Sequence, residues 1–192
     1  MIKIIILSIL ILLSCNKIDN LDKKTSNNVK ADNINKKDTK KIYKIDYSKK
    51  DKRLWAKSFL GKKAPELITE GWISKKPNTK GKFILLDFWG TSCPQCKRAI
   101  PELNKIQKKF KDKLVVIGLS TSSKESIQSM KSPKIDYYSA YDPAGRTKRK
   151  YQVRGIPHVV IINPDGIVAW EGFPFLNTDP LTEELVDKII NY

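Results

Sequence analysis

Apolar positions are spread unevenly along this chain. A run from Ile4 to Leu13 is broken only by Ser8, residues 16 to about 63 follow no helical or strand period, and short apolar blocks then recur to the end. Phe83-Ile84-Leu85-Leu86-Asp87-Phe88-Trp89 is nearly continuous and rich in β-formers, which predicts a strand buried on both faces in the middle of a sheet. Ala99, Ile100, Leu103, Ile106 and Phe110 follow at helical spacing over 94–110, with Lys and Gln opposite them. Residues 114–119 repeat the buried-strand pattern, 123–130 predict a short capped helix, 135–141 a short strand, and 143–151 a basic helix that stops before Gly155. Two further strands, 159–162 and 167–170, flank the turn Asn163-Pro164-Asp165-Gly166, and 181–190 carries Leu181, Leu185, Val186, Ile189 and Ile190 on one helical face. The order β-α-β-α-β-α-β-β-α predicts an α/β fold with a central mixed sheet and helices on both faces.

The two ends of the pattern divide the chain further. Residues 1–14, with one early lysine and an apolar run too short to span a bilayer comfortably, read as a signal peptide. Leu12-Leu13-Ser14-Cys15 resembles the bacterial lipobox, which implies acylation of Cys15 and tethering of the exported remainder to a membrane; an uncleaved anchor with an incidental Cys15 is the competing reading. Residues 15–58 then form a flexible basic tether and 59–192 the folded domain. At 192 residues, one domain with extensions is expected, without repeats and acting as a monomer.

Lys and Arg outnumber Asp and Glu by 37 to 20, for a net charge of +17. Such an excess raises nucleic acid as a partner, but much of it lies in the tether, interleaved with Asn, Asp and Ser. A solvated basic segment beside an anionic membrane surface accounts for that distribution better, so no nucleic acid is expected.

Three cysteines are present, and the lipobox absorbs one. The other two stand in Cys93-Pro94-Gln95-Cys96, at the junction of a predicted strand and helix. A structural disulfide closing so short a loop would remove little chain entropy. Zinc wants four ligands, and with His158 the only histidine the pair has at most three Cys and His side chains, so no metal is expected. A redox pair needs neither. Backbone N–H groups at a helix N-terminus favour a thiolate at Cys93, and Cys96, one turn later on the same face, can reach its sulfur. Cys93 would attack a substrate disulfide and Cys96 would resolve the mixed disulfide; the reverse sequence oxidises a dithiol.

The block Asp87-Phe88-Trp89-Gly90-Thr91-Ser92-Cys93-Pro94-Gln95-Cys96, with Pro101 after it, resembles the thioredoxin active-site segment, and Val153-Arg154-Gly155-Ile156-Pro157-His158 resembles the segment that carries that family's cis-proline. From about residue 60 the chain is similar to the TlpA-like branch of exported, membrane-anchored thiol-disulfide oxidoreductases. The resemblance implies a thioredoxin fold. It also makes Pro157 the cis-proline facing the redox pair, with Ile156 pairing its backbone with bound peptide, Asp87 a buried acid that takes the proton of Cys96, and Trp89 a neighbour of the pair. An ordinary trans turn proline, a strand-end aspartate and a plain core aromatic are the alternatives for Pro157, Asp87 and Trp89.

Several positions depart from the pattern. Ser92 stands where these families usually carry tryptophan, which predicts a more open and polar substrate rim. Ala99 replaces the glutamate found in many reductases of cytochrome c maturation, so that pathway is not assigned. Gly90 occupies the place where peroxiredoxin chemistry needs threonine, which argues against a peroxidase. His158 is either a sulfur or substrate contact or a plain strand residue. No flavin or nicotinamide signature is present, so no cofactor is expected. The expected activity is thiol-disulfide exchange with exported proteins, most simply as a reductase fed by a membrane electron donor. A dithiol oxidant and a binding or assembly lipoprotein without turnover are the alternatives.

Overall fold

The structure is a computed structural model and describes residues 54–175 and 179–191. Residues 1–53, which hold the segment read as a signal peptide, Cys15 and most of the segment read as a tether, lie outside the described residues. No helix among the described residues is long and apolar enough to cross a membrane.

Six strands form one sheet. β1 (Gly71–Trp72) is followed by β2 (Phe83–Trp89), α1 (Pro94–Phe110), β3 (Leu114–Ser120), α2 (Lys124–Gln128), β4 (Tyr138–Tyr141), α3 (Arg146–Lys150), β5 (His158–Ile162), β6 (Val168–Gly172) and α4 (Glu183–Asn191). The strand order is β1-β4-β3-β2-β5-β6. β2, β3 and β4 run parallel, while β1, β5 and β6 pair antiparallel to their neighbours, so the sheet is mixed. β2 lies between β3 and β5 and is buried along almost its whole length, which is why its sequence is apolar throughout rather than alternating.

Period-two alternation sorts the strand side chains into two layers. Leu85, Trp89, Val116, Val159 and Ile161 pack under α1 and α4, contributing to a core with Ile100, Leu103, Ile106, Val186 and Ile190. Leu86, Phe88, Ile117, Val160 and Ile162 face the other way, against Tyr151 and Val153 after α3 and against Ala56, Phe59 and Leu67. Residues 55–58, counted with the tether from the sequence, are hydrogen-bonded to this body: Lys57 N–H donates to the Tyr151 carbonyl at 3.2 Å, and Ser58 Oγ and Phe59 N–H both donate to the Glu171 carboxylate.

Beyond shifts of one or two residues at helix and strand ends, three elements differ from the pattern reading. β1 is only two residues long and exists through its pairing with β4, so it leaves no periodic signature. β4 starts at Tyr138 rather than 135. α3 starts at Arg146 rather than 143, because Gly145 takes a left-handed φ of 62° and the buried Asp142 carboxylate accepts from the Arg146 and Thr147 N–H groups at 2.6 and 3.3 Å.

Candidate functional site

Cys93 is placed by both elements that meet at it. β2 ends at Trp89 and the Cys93 N–H returns to the Gly90 carbonyl at 3.1 Å, which closes the turn. Thr91 pins that turn to the loop after β3: its N–H donates to Ser122 Oγ at 3.1 Å, and its hydroxyl lies 3.1 Å from Ser122 Oγ and 2.9 Å from Ser126 Oγ. Cys93 is the N-cap of α1 with extended backbone, and Pro94 fills the first helical position, where a missing N–H costs nothing.

Cys93 and Cys96 form a disulfide with their Cα atoms 5.3 Å apart. The Cys96 N–H donates to Cys93 Sγ at 3.1 Å, so the backbone aims a positive partial charge at the sulfur that would carry the thiolate after reduction. The pair is asymmetric: Cys93 is half-buried, whereas Cys96 is fully buried in the layer under α1. An incoming sulfur can therefore reach Cys93 and not Cys96.

Opposite the pair, the Ile156–Pro157 peptide is cis. The Ile156 carbonyl oxygen lies 3.8 Å from Cys93 Sγ, and the Ile156 N–H has no backbone acceptor among the described residues. An extended polypeptide beside Cys93 would find both backbone groups of Ile156 within reach.

Asp87 lies on the β2 face that carries Leu85 and Trp89, in the same layer as Cys96. It is fully buried and neither carboxylate oxygen has a hydrogen-bond partner among the described residues; burial pushes its pKa from 3.8 up to about 8. Its cross-strand row runs Asp87–Gly118–Ser139. Gly118 is required there because a Cβ would stand 2.8 Å from Tyr137 Cε2 and 3.1 Å from Trp89 Nε1. Both rings thus rest on the bare strand. Burial and, second to it, the Asp87 carboxylate push the Tyr137 phenol well above its ordinary pKa, so Tyr137 stays neutral. Trp89 is buried in the layer that holds Cys96, and Cys93 packs against that layer.

The geometry thus gathers Cys93, Cys96, Ile156, Pro157, Asp87 and Trp89 around one strand-helix junction. His158 is on the other sheet face, its ring centroid 6.1 Å from those of Phe88 and Phe173. Ser92 is exposed and Ala99 is buried in the core. Tyr137 and Gly118 carried no signal of their own in the sequence, because each acquires its place from a strand distant along the chain, and Thr91 stood in the quoted block without a role of its own.

Comparison with known proteins agrees with this arrangement. The thioredoxin-like protein YneN of Bacillus subtilis is 30% identical over 99 residues, 50% of this chain and 58% of that protein. The thiol-disulfide oxidoreductase ResA of the same organism is 29% identical over 115 residues, 58% of this chain and 62% of that protein. The chain thus covers about three-fifths of the length of these curated relatives. Among solved structures, a thiol:disulfide interchange protein from Bacteroides sp. superposes with a TM-score of 0.56 at 27% identity, covering 69% of this chain and 91% of that one. The model of the AhpC/TSA family matches residues 60–171, from the bridge that ties Leu60 to Val168 to the penultimate residue of β6, and the chain belongs to that thioredoxin-fold family.

Proposed function

We propose that the protein is an extracytoplasmic thiol-disulfide oxidoreductase that reduces disulfides in exported proteins, held at a bacterial membrane by a lipid on Cys15. The observation that carries the reading is the Cys93–Cys96 disulfide at the α1 N-terminus, with the outer sulfur beside the Ile156 carbonyl and the inner one buried. Cys93 and Cys96 are the catalytic residues. In the reduced enzyme, the Cys93 thiolate attacks a substrate sulfur; the substrate S–S bond breaks, a mixed disulfide forms, and the departing sulfur takes up a proton. Cys96 then attacks Cys93, its proton going to Asp87 in the fraction of molecules whose carboxyl is ionised; the second substrate sulfur departs, takes up a proton from solvent, and leaves the enzyme disulfide. Two electrons have passed to the substrate. A membrane electron donor outside the chain returns them, because the Cys93–Cys96 dithiol is spent after one turnover and must be reduced again.

Supporting positions follow from the same geometry. Ile156 presents its backbone to the substrate, Pro157 shapes the loop that brings it to Cys93, and Trp89 helps to fill the buried layer that holds Cys96. Asp87, poised near 8, holds a proton at neutral pH in the resting disulfide state and exchanges it as the charge on Cys96 comes and goes. Direction is tested by the reduction potential of the pair, measured against thiol buffers. A value near the thioredoxin range of about −270 mV supports a reductase, one near about −120 mV identifies a dithiol oxidant, and a pair that does not titrate leaves a binding lipoprotein.

A further inference from the structure

The described residues expose two large hydrophobic side chains, and one of them, Trp55, is 58% exposed against the loop that carries the cis-proline. Its backbone is held firmly: the Arg154 and Gly155 N–H groups both donate to the Trp55 carbonyl, at 2.6 and 3.3 Å. Its indole lies against Gly155, where a Cβ would stand 2.7 Å from Trp55 Cε3 and 3.1 Å from Trp55 Cβ. The backbone of Gly155 is therefore the floor on which the ring rests. The next residue is Ile156, whose carbonyl faces Cys93 Sγ, and adjacent Cα atoms are only about 3.8 Å apart.

An indole fixed by its backbone yet open to water leaves a large apolar surface available on the loop whose Ile156 carbonyl faces Cys93 Sγ, at little further cost in conformational entropy. The strand-helix turn offers no competing aromatic there, since the residue before Cys93 is the exposed Ser92. Around the ring, Leu54, Ala56, Lys57, Gln152 and Arg154 line an open groove of about 550 Å³. Its charged groups are cations, which favour a neutral or acidic peptide over a basic one. A peptide adding backbone pairs at Ile156 would place the residue next to its cysteine over Gly155, within reach of the indole.

We propose that Trp55 is a specificity-determining residue: its indole, resting on Gly155, binds an aromatic or large aliphatic side chain adjacent to the substrate's disulfide cysteine. The inference rests on the exchange reaction proposed above. Aromatic recognition therefore comes from the segment that enters the domain rather than from the active-site turn.

The test is steady-state reduction, by the full chain, of two disulfide-bridged peptides that differ only in Phe or Ala beside the cysteine. The unsubstituted protein is expected to prefer the Phe peptide about three- to ten-fold in kcat/KM, mostly through KM. Trp55→Ala should bring that ratio close to one, and Trp55→Phe should restore most of it. Gly155→Ala keeps the tryptophan but displaces the ring with its new Cβ, and it too should abolish the preference. An equal preference in Trp55→Ala, or turnover without preference in the unsubstituted protein, overturns this inference and leaves the exchange reaction standing. Failure of the unsubstituted protein to reduce either peptide overturns both.

Discussion

Replacing Asp87 with Asn separates a buried, proton-holding acid from an ordinary core residue. In the folded protein burial raises the carboxyl from 3.8 to about 8, with no hydrogen bond among the described residues to offset the loss of water. Below pH 3.8 the group is neutral folded and unfolded alike, and it contributes no pH dependence. From there to pH 8 the unfolded chain has released a proton that the folded one keeps. Stability therefore falls as pH rises, by about 1.4 kcal/mol per pH unit, and levels off once the folded carboxyl also ionises. The cost at pH 7 is about 4 kcal/mol and at the plateau about 6 kcal/mol, large against a typical domain stability of about 5–15 kcal/mol. Asn has nearly the same shape, stays uncharged, and is as short of partners as the neutral acid. The stability difference between Asp87→Asn and the parent should thus be small near pH 4.5 and grow to several kcal/mol by pH 8. Urea unfolding of the two oxidised proteins across that range reads it directly. Parallel pH profiles would mean that Asp87 ionises at an ordinary carboxylate value and cannot serve as the proton store for Cys96.

Cys93→Ser is expected to abolish disulfide reduction, and Cys96→Ser to accumulate mixed disulfides with substrate, visible as adducts on non-reducing gels; turnover retained by Cys93→Ser would remove the mechanism. Gly118→Val introduces a Cβ at 2.8 Å from Tyr137 and 3.1 Å from Trp89, so it should cost about 1–3 kcal/mol in a denaturant titration and loosen both rings beside Asp87. An unchanged midpoint would show that the rings do not rest on that strand as described.

The mechanism also explains why such a stability cost is tolerated at one position. A carboxyl that is comfortable as an anion would hold no proton at neutral pH and could give none back. Asp87 sits instead among groups that cannot neutralise it: the Tyr137 phenol stays protonated, and its cross-strand neighbour is a glycine. The site is therefore a strained patch in an otherwise well-packed layer, confined to the end of β2 that meets α1.

The elements around the redox pair were legible in the sequence because their causes are local. Burial of β2 on both faces demands an unbroken apolar run, α1 needs one apolar stripe with Pro94 at its first position, and the two cysteines are brought together by three residues of helix. β5, β6 and α4 were visible for the same reason. What the sequence could not carry is whatever depends on a partner far along the chain. β1 is a strand only because Gly71 and Trp72 meet Tyr141 and Ala140. α3 begins late because Asp142 caps it. Trp55 looked like part of a tether, and it becomes a wall of the active-site loop through hydrogen bonds to residues about a hundred positions away. The acidity of Asp87 belongs to the same class: an aspartate in an apolar run marks an oddity, but only the closed layer of side chains above it removes the water that would have kept it charged.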